Sequence, residues 1–311
     1  MLIPVLIGTT LIVYCIMDLT PGDPARMILA ETKTSEENIE KMRESLGLND
    51  PLLVRYVRYI TNLLKGDWGI SYKNRISVLA QIKEKLPNTM LLAFSGMVVA
   101  IIIGIPIGII AAKKQYTLFD NVSMIGALIG TSAPAFWLGL LLVITFSLKL
   151  KWLPPAGMGQ GFVMKLKSLI LPALTIGTGT AAIITRMTRS SMLETMRQDY
   201  IDTARAKGIK ESLVTTGHML KNALIPIVTV VGLQFGSLLG GSVMTENVFS
   251  WPGLGRFVVE SIKTKDVPCV LGSVVALCIL FSIVNLCVDI LYAFVDPRIK
   301  SQYKTSRRKH I

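Results

Sequence analysis

Histidine and cysteine are scarce, with two and four in 311 residues. His218 and His310 stand far apart, and there is no H-E-x-x-H, which argues against a histidine-based metal cluster in this chain. G-x-S-x-G is also missing, and with it the strained turn that presents a serine nucleophile. No G-x-x-x-x-G-K-[ST] loop is present to cradle nucleotide phosphates, which excludes ATP binding by this chain through that device. Cys15, Cys269, Cys278 and Cys287 lie in apolar segments without C-x-x-C spacing, and read as small hydrophobes rather than disulfides or ligands. No catalytic residue and no metal ligand is expected.

What the chain has instead is apolar sequence in long blocks. Hydrophobic residues make up 51% of it, and the mean hydropathy is +0.54. A membrane-crossing helix needs ~20 apolar residues. Six runs approach or exceed that, at 2–19, 89–112, 122–148, 169–187, 223–244 and 269–294. The fold class expected is therefore an all-α polytopic membrane protein with six transmembrane helices. The first run has no basic segment ahead of it and no small-residue cleavage site behind it, so it reads as a retained anchor.

The net charge of +13 follows the membrane rather than a nucleic acid. With the N-terminus inside, Lys113 and Lys114 fall in an inner loop. Arg186, Arg189, Arg197, Arg205, Lys207, Lys210 and Lys221 fall in another, and Arg298, Lys300, Lys304, Arg307, Arg308 and Lys309 in the tail. Lys149, Lys151, Lys165 and Lys167 fall outside, but the inner total is larger, and the positive-inside rule gives both termini to the cytoplasm.

Four regions follow: a first transmembrane helix at 1–19, an extracytoplasmic helical region at 20–88, a core of five spans at 89–295, and a basic cytoplasmic tail at 296–311. In the second region, "SEENIEKMRESLGL" predicts a helix capped by Ser35 and ended at Gly47. "DPLLVRYVRYITNLL" predicts another, with Asp50 as cap, Pro51 at the first helical position, and Leu53, Tyr56, Val57, Ile60 and Leu64 on one face. Both are expected as short amphipathic helices on the outer surface.

In the core, Gly232, Gly236 and Gly240 form a small face on the fifth span. Gly126, Gly130 and a kink at Pro134 mark the third. Close helix packing is the expected use of these glycines. Ser282, Asn285 and Asp289 share a face of the sixth span, and intramembrane polar groups point inward. With Gln234 of the fifth span they are candidates for lining a pathway; interhelical hydrogen bonding is the alternative. Broken mid-membrane helices would favour a secondary transporter, but the spans read as mostly continuous.

One stretch, 197–222, is out of keeping with the rest. It is polar, helix-forming from Tyr200 to Lys207, broken at Gly208, and helical again from Ile209 to Leu220, with Pro226 marking entry to the fifth span. His218 reads as a polar surface residue of this stretch. "DTARAKG", followed by "NALIP", resembles the cytoplasmic signature of ABC importer permeases, in which a helical hairpin docks into a groove of the ATPase subunit. By position, Asp202 takes the acidic place, Thr203 and Ala204 the small pair, and Gly208 the glycine. Asp stands for the usual Glu and Thr for an Ala, and the gap to Pro226 is long, as is typical of the peptide and nickel branch. "LTPGDPA", "LGLNDPLLVRYVRYITNLLKGDWGISY", "SAPAFWLGLLL", "WLPPAG", "ENVFSWPGLGR" and "DPRIK" extend the resemblance to the first-permease subunit of that branch over nearly the whole chain.

The resemblance implies a type I ABC importer permease fold and half of a translocation pathway for di- or oligopeptides. A nickel or metal-chelate importer is the alternative, and a secondary transporter or channel a more distant one. It implies that Asp202, Thr203, Ala204, Arg205, Ala206, Lys207, Gly208 and Ile209 couple to the ATPase. It also implies a second related permease, two ATPase subunits and an outer substrate-binding protein as partners. No cofactor is expected on this chain, since Mg-ATP would sit on the ATPases. The "SWPGLGR" turn, with Trp251, Pro252, Gly253 and Arg256, is expected to meet the binding protein and help close an outer gate.

Overall fold

The computed structural model describes residues 2–29 and 35–295, with the backbone alone at 2–3, 289 and 291–295. Among them the regular structure is helical, apart from one isolated bridge between Ile70 and Ser77. The helices are α1 (Leu2–Leu19), α2 (Pro24–Leu29), α3 (Glu36–Ser45), α4 (Leu52–Leu64) and α5 (Val78–Lys113). They continue with α6 (Leu118–Ser132), α7 (Ala135–Leu142), α8 (Phe162–Met196), α9 (Asp199–Ala206) and α10 (Glu211–Leu213). The last three are α11 (Lys221–Val248), α12 (Leu254–Lys263) and α13 (Val267–Val295). Two π-helical stretches, Val143–Lys149 and Val214–Leu220, extend α7 and join α10 to α11.

Each expected span falls on a helix, but two are built differently from the reading. By length and hydropathy, α5, α8, the continuous run Glu211–Val248 and α13 are long enough to cross a membrane. The third span is not a gently kinked rod: between α6 and the Ala135–Lys149 helix the chain bends by 105°. Pro134 explains the break, because it has no N–H for the ladder and biases Ala133 to an extended conformation, ψ 129°. Pro226, by contrast, does not start a new helix; it lies inside the continuous run. The apolar part of α1, Pro4–Leu19, is shorter than the other spans.

The described chain divides into two compact units, 1–90 with 250–282, and 91–249 with the chain from 283 on. In the first, α3 ends in a glycine cap as read: Gly47 has φ +65°, and the Leu48 and Gly47 N–H groups bond the Arg43 and Glu44 carbonyls. Ser35 stands at the N-cap, but its hydroxyl makes no capping bond. At α4 the N-cap is Pro51 rather than Asp50, whose carboxylate instead pairs with Arg58 at 2.5 Å.

The buried face of α4 is also turned from the one expected. Tyr56 is buried, with Leu52, Tyr59 and Ile60 packed beside it, whereas Leu53, Val57 and Leu64 are exposed. The Tyr56 hydroxyl donates to the Ile7 carbonyl at 2.9 Å and lies 2.9 Å from the Thr10 hydroxyl. Arg55 meets Asp18 at 2.5 Å. So α4 lies along α1 rather than standing free.

The segment after α12 ties this unit together. Asp266, buried, accepts from the Ser71 hydroxyl and from the Tyr72 and Lys73 N–H groups at 3.0 and 3.4 Å. The Lys265 ammonium, also buried, donates to the Thr20 and Gly22 carbonyls. Burial pushes the neighbouring Tyr72 phenol up to about 12, so it stays neutral.

In the second unit α5 and α8 approach through glycine. A Cβ on Gly104 would sit 2.8 Å from the Ala181 carbonyl oxygen, one on Gly108 2.7 Å from that of Thr185, and one on Gly177 2.6 Å from that of Gly96. The stripe Gly96, Ala100, Gly104, Gly108 has a strict four-residue spacing, which brings backbones together where lipid offers no hydrophobic drive. On the fifth span, Gly232 is likewise closed in by Val288 and Gly236 is buried, but Gly240 faces open space, so the expected small face is not uniform. Four threonines of α8 satisfy their hydroxyls within the helix: Thr175, Thr178, Thr185 and Thr195 bond carbonyls four residues back at 2.6–2.9 Å. Arg189, counted above as a loop charge, makes a two-pronged pair with buried Asp120, both bonds 2.6 Å, and the Tyr116 N–H adds a third bond.

Candidate functional site: the polar hairpin and the break in the third span

The hairpin opens with α9 and turns at Gly208, φ +73°. That left-handed conformation costs other residues ~1–2 kcal/mol. It lets the Gly208 and Ile209 N–H groups bond the Arg205 and Ala204 carbonyls at 2.9 and 3.3 Å, closing the end of α9. The return strand of the hairpin is not a separate helix. It leaves Lys210 and passes through α10 and the π-helical Val214–Leu220 straight into α11.

Across the turn, the Arg205 guanidinium grips Glu211 with bonds of 3.2 and 3.0 Å, and reaches Asp202 at 3.6 Å. The hydrogen bonds to Glu211 push Arg205 above its ordinary value, so it stays charged at any physiological pH.

The hairpin has two unlike faces. Ile201 and Ala204 are buried, and with Ile209 they pack into one apolar cluster with Ala112 of α5, Met192 of α8, and Ala223 and Ile227 of α11. Asp202, Thr203, Arg205, Ala206, Lys207 and Gly208 are exposed. Ala204 is therefore turned into this cluster, whereas Ala206 is exposed. The helical period places it one turn from Ile201, on the same buried face. Sequence reasoning missed Glu211, although an acid three residues past the turn glycine, opposite an arginine three before it, was there to be read.

Of the four pathway candidates, Gln234 lines a cavity of about 230 Å³ at the break of the third span, together with Thr131, Thr180 and Ser237. Ser282 and Asn285 are half-buried on α13 and are not in that lining. The Asp289 side chain lies outside the described residues, as do the basic tail and "DPRIK".

The "SWPGLGR" turn holds a different surprise. Trp251 is fully buried and its Nε1–H donates to the Asn88 carbonyl at 3.0 Å, while Asn88 Nδ2 donates to the Pro252 carbonyl at 2.9 Å. Gly253 is buried too, and the Leu254 N–H is capped by Thr89 Oγ1 at 2.8 Å. Trp251 and Gly253 thus hold the turn from within and present no surface. Pro252 and Arg256 are half-exposed, Arg256 being tied to Glu260 at 2.6 Å and to the Ser250 carbonyl at 2.7 Å.

These features define a class. An all-helical, multi-pass membrane protein with a rigid polar hairpin packed on three of its long helices has the fold of the type I ABC importer permeases. A chain of the MetNI methionine ABC transporter in inward-facing form superposes with TM-score 0.60 at 19% identity, over 70% of this chain and 97% of that one. A chain of an amino acid ABC transporter crystallised with histidines gives 0.52 at 14%, over 71% and 94%.

Sequence narrows this to a family. The model of the binding-protein-dependent transport system inner membrane component matches residues 104–301, and that of its N-terminal part matches residues 1–93. The chain belongs to this family of inner-membrane permease components, which are subunits of larger transporters. The dipeptide transport system permease protein DppB of Alkalihalophilus pseudofirmus is 43% identical, over 96% of this chain and 97% of that protein. The oligopeptide transport system permease protein AppB of Bacillus subtilis is 40% identical, over 96% of each. The glutathione transport system permease protein GsiC of Escherichia coli K12 is 42% identical over the same shares.

Proposed function

We propose that this chain forms half of the translocation pathway of an ATP-driven importer of short peptides, and that its 197–222 hairpin transmits ATPase movement to the spans. The observation that carries this is the two-faced hairpin. Its inner face shares one apolar cluster with α5, α8 and α11, so a displacement of the hairpin must move all three or open a void. Its outer face offers small and charged side chains to a partner. The cargo class is supported by the relatives, whose names specify dipeptides, oligopeptides and glutathione.

ATP would be hydrolysed by two separate ATPase subunits, since this chain carries no phosphate loop. One hairpin serves one ATPase, so a second related permease completes the pair, and an outer binding protein delivers the peptide. The hairpin lies inside, with both termini, and the 20–88 region lies outside. The test is reconstitution of the assembled complex in vesicles. ATP-dependent uptake of a short peptide that needs both the ATPases and the binding protein is the expected result. Uptake driven by an ion gradient without ATPase subunits would overturn it.

A further inference from the structure

We infer that the cavity at the break of the third span is a passage site for the uncharged main chain of an extended peptide, a deepening that rests on the importer reading above. Three independent features meet there.

The first is backbone. Pro134 has no N–H, so the Gly130 carbonyl lacks its helical donor. The last bond of α6 runs from the Ala133 N–H to Ile129, and the first of α7 from the Leu138 N–H to Pro134. The N–H groups of Ala135, Phe136 and Trp137 precede that first bond and have no helical acceptor. Irregular backbone at membrane depth survives only where protein buries it or where it lines a wet cavity. Gly130, Thr131 and Ala135 line this one.

The second is side-chain chemistry. Among the described residues, no charged one lines the cavity. Thr131 and Thr175, two of its hydroxyl residues, are spent on their own helices. Thr180 is only 6% exposed, yet its hydroxyl has no hydrogen-bond partner among the described residues, and neither do Gln234 and Ser237. Gln234 is the one amide side chain between Asn222 and Asn247. An amide carries donor and acceptor together, which matches both halves of a peptide group. Among the described residues, peptide termini and metal ions find no counter-charge here.

The third is space. Gly179 and Gly241 line the cavity from α8 and α11 with ordinary helical φ. A Cβ on Gly179 would meet only the Gly130 carbonyl, at 3.5 Å, and one on Gly241 would meet nothing within 4 Å. This differs from Gly104 or Gly177, where packing forbids a side chain. Glycine within a helix lowers its stability. Neither backbone nor packing within this chain asks for it at 179 or 241. What it leaves is an open wall.

The experiment compares Gly241→Leu and Gln234→Leu with wild type in the reconstituted complex, using trialanine as the probe. Absence of ATP-dependent trialanine uptake by wild type would sink the importer reading itself, separately from the site. Given wild-type uptake, both variants should assemble and keep binding-protein-stimulated ATP hydrolysis, while trialanine moved per ATP falls roughly tenfold, as expected for a lost hydrogen bond or a blocked path. Gln234→Asn, which keeps the amide, should retain most uptake. Gly241→Ala should be as stable as wild type, and with Gln234→Leu it decides the matter if the leucine at 241 prevents insertion. Unchanged trialanine moved per ATP in Gln234→Leu overturns the site. So does loss of the second permease from the complex, which would assign the cavity to subunit packing.

Discussion

Arg205 and Glu211 face each other across Gly208, joined by two hydrogen bonds of 3.2 and 3.0 Å that link the two arms of the hairpin. Gly208 supplies the turn, and the ion pair spans it. Gly208→Pro would force φ to about −65° where the chain needs +73°, and would remove the N–H that bonds Arg205. The expected protein inserts and assembles poorly with its ATPase, and ATP-driven uptake fails. Reconstituted uptake and ATPase rates, normalised to expression, check this; wild-type uptake by a well-expressed variant refutes it.

The two alanines of the hairpin should separate cleanly. Ala204 sits in the apolar cluster with Ile201 and Met192, so Ala204→Leu overpacks it at a cost of about 1–3 kcal/mol. Ala206 is exposed, and Ala206→Leu should leave thermal stability unchanged while weakening co-purification with the ATPase. Thermal melts of the purified permease and pull-down yields distinguish them. Equal melting points for the two variants would refute the assignment of faces.

Asp120 is 1% exposed and depends on Arg189. Arg189→Met strands a buried carboxylate and should destabilise by about 3–5 kcal/mol. The double variant Arg189→Met with Asp120→Asn should recover much of that, because the uncompensated charge is gone. Detergent-solubilised melting curves of the three proteins test it, and a double variant no better than the single one would show that the pair is not the reason.

Asp266 collects one hydroxyl and two backbone donors from residues 71–73. Asp266→Ala leaves them without that acceptor, at about 1–3 kcal/mol for a buried group left unsatisfied. The expected sign is faster limited proteolysis within 20–88 while uptake-independent ATPase activity persists. A digestion pattern identical to wild type counts against it.

A side chain at Gly104 cannot be accommodated without moving α5 from α8, because its Cβ would lie 2.8 Å from a backbone oxygen and 2.9 Å from Ile184. Gly104→Val should reduce the yield of folded protein far more than Gly126→Val, whose Cβ position is open. Size-exclusion profiles of the two would settle the comparison.

Hydropathy made the spans legible, because an apolar run of sufficient length is a local property of the chain. The glycine turns were legible too: at Gly47 and Gly208 a helix end needs positive φ, and glycine follows the last helical residues in both. The break at Pro134 was visible only as a kink, since a proline removes one bond but does not say how far the two halves swing. The face of α4 was misread because its apolar arc is wide, covering Leu52, Leu53, Tyr56, Val57, Tyr59 and Ile60, and periodicity cannot choose within such an arc. The Tyr56 hydroxyl chose, by finding the Ile7 carbonyl.

The sequence by itself determined that this is a helical membrane protein with a polar hairpin turned by Gly208, since length, hydropathy and the glycine's backbone freedom are carried by neighbouring residues. Only the tertiary structure decided that Trp251 points inward, that Arg189 belongs to Asp120, and that Gln234 opens onto a cavity. Those facts depend on residues 163, 69 and about 100 positions apart meeting in space, and the pattern along a chain holds no record of which distant groups will meet.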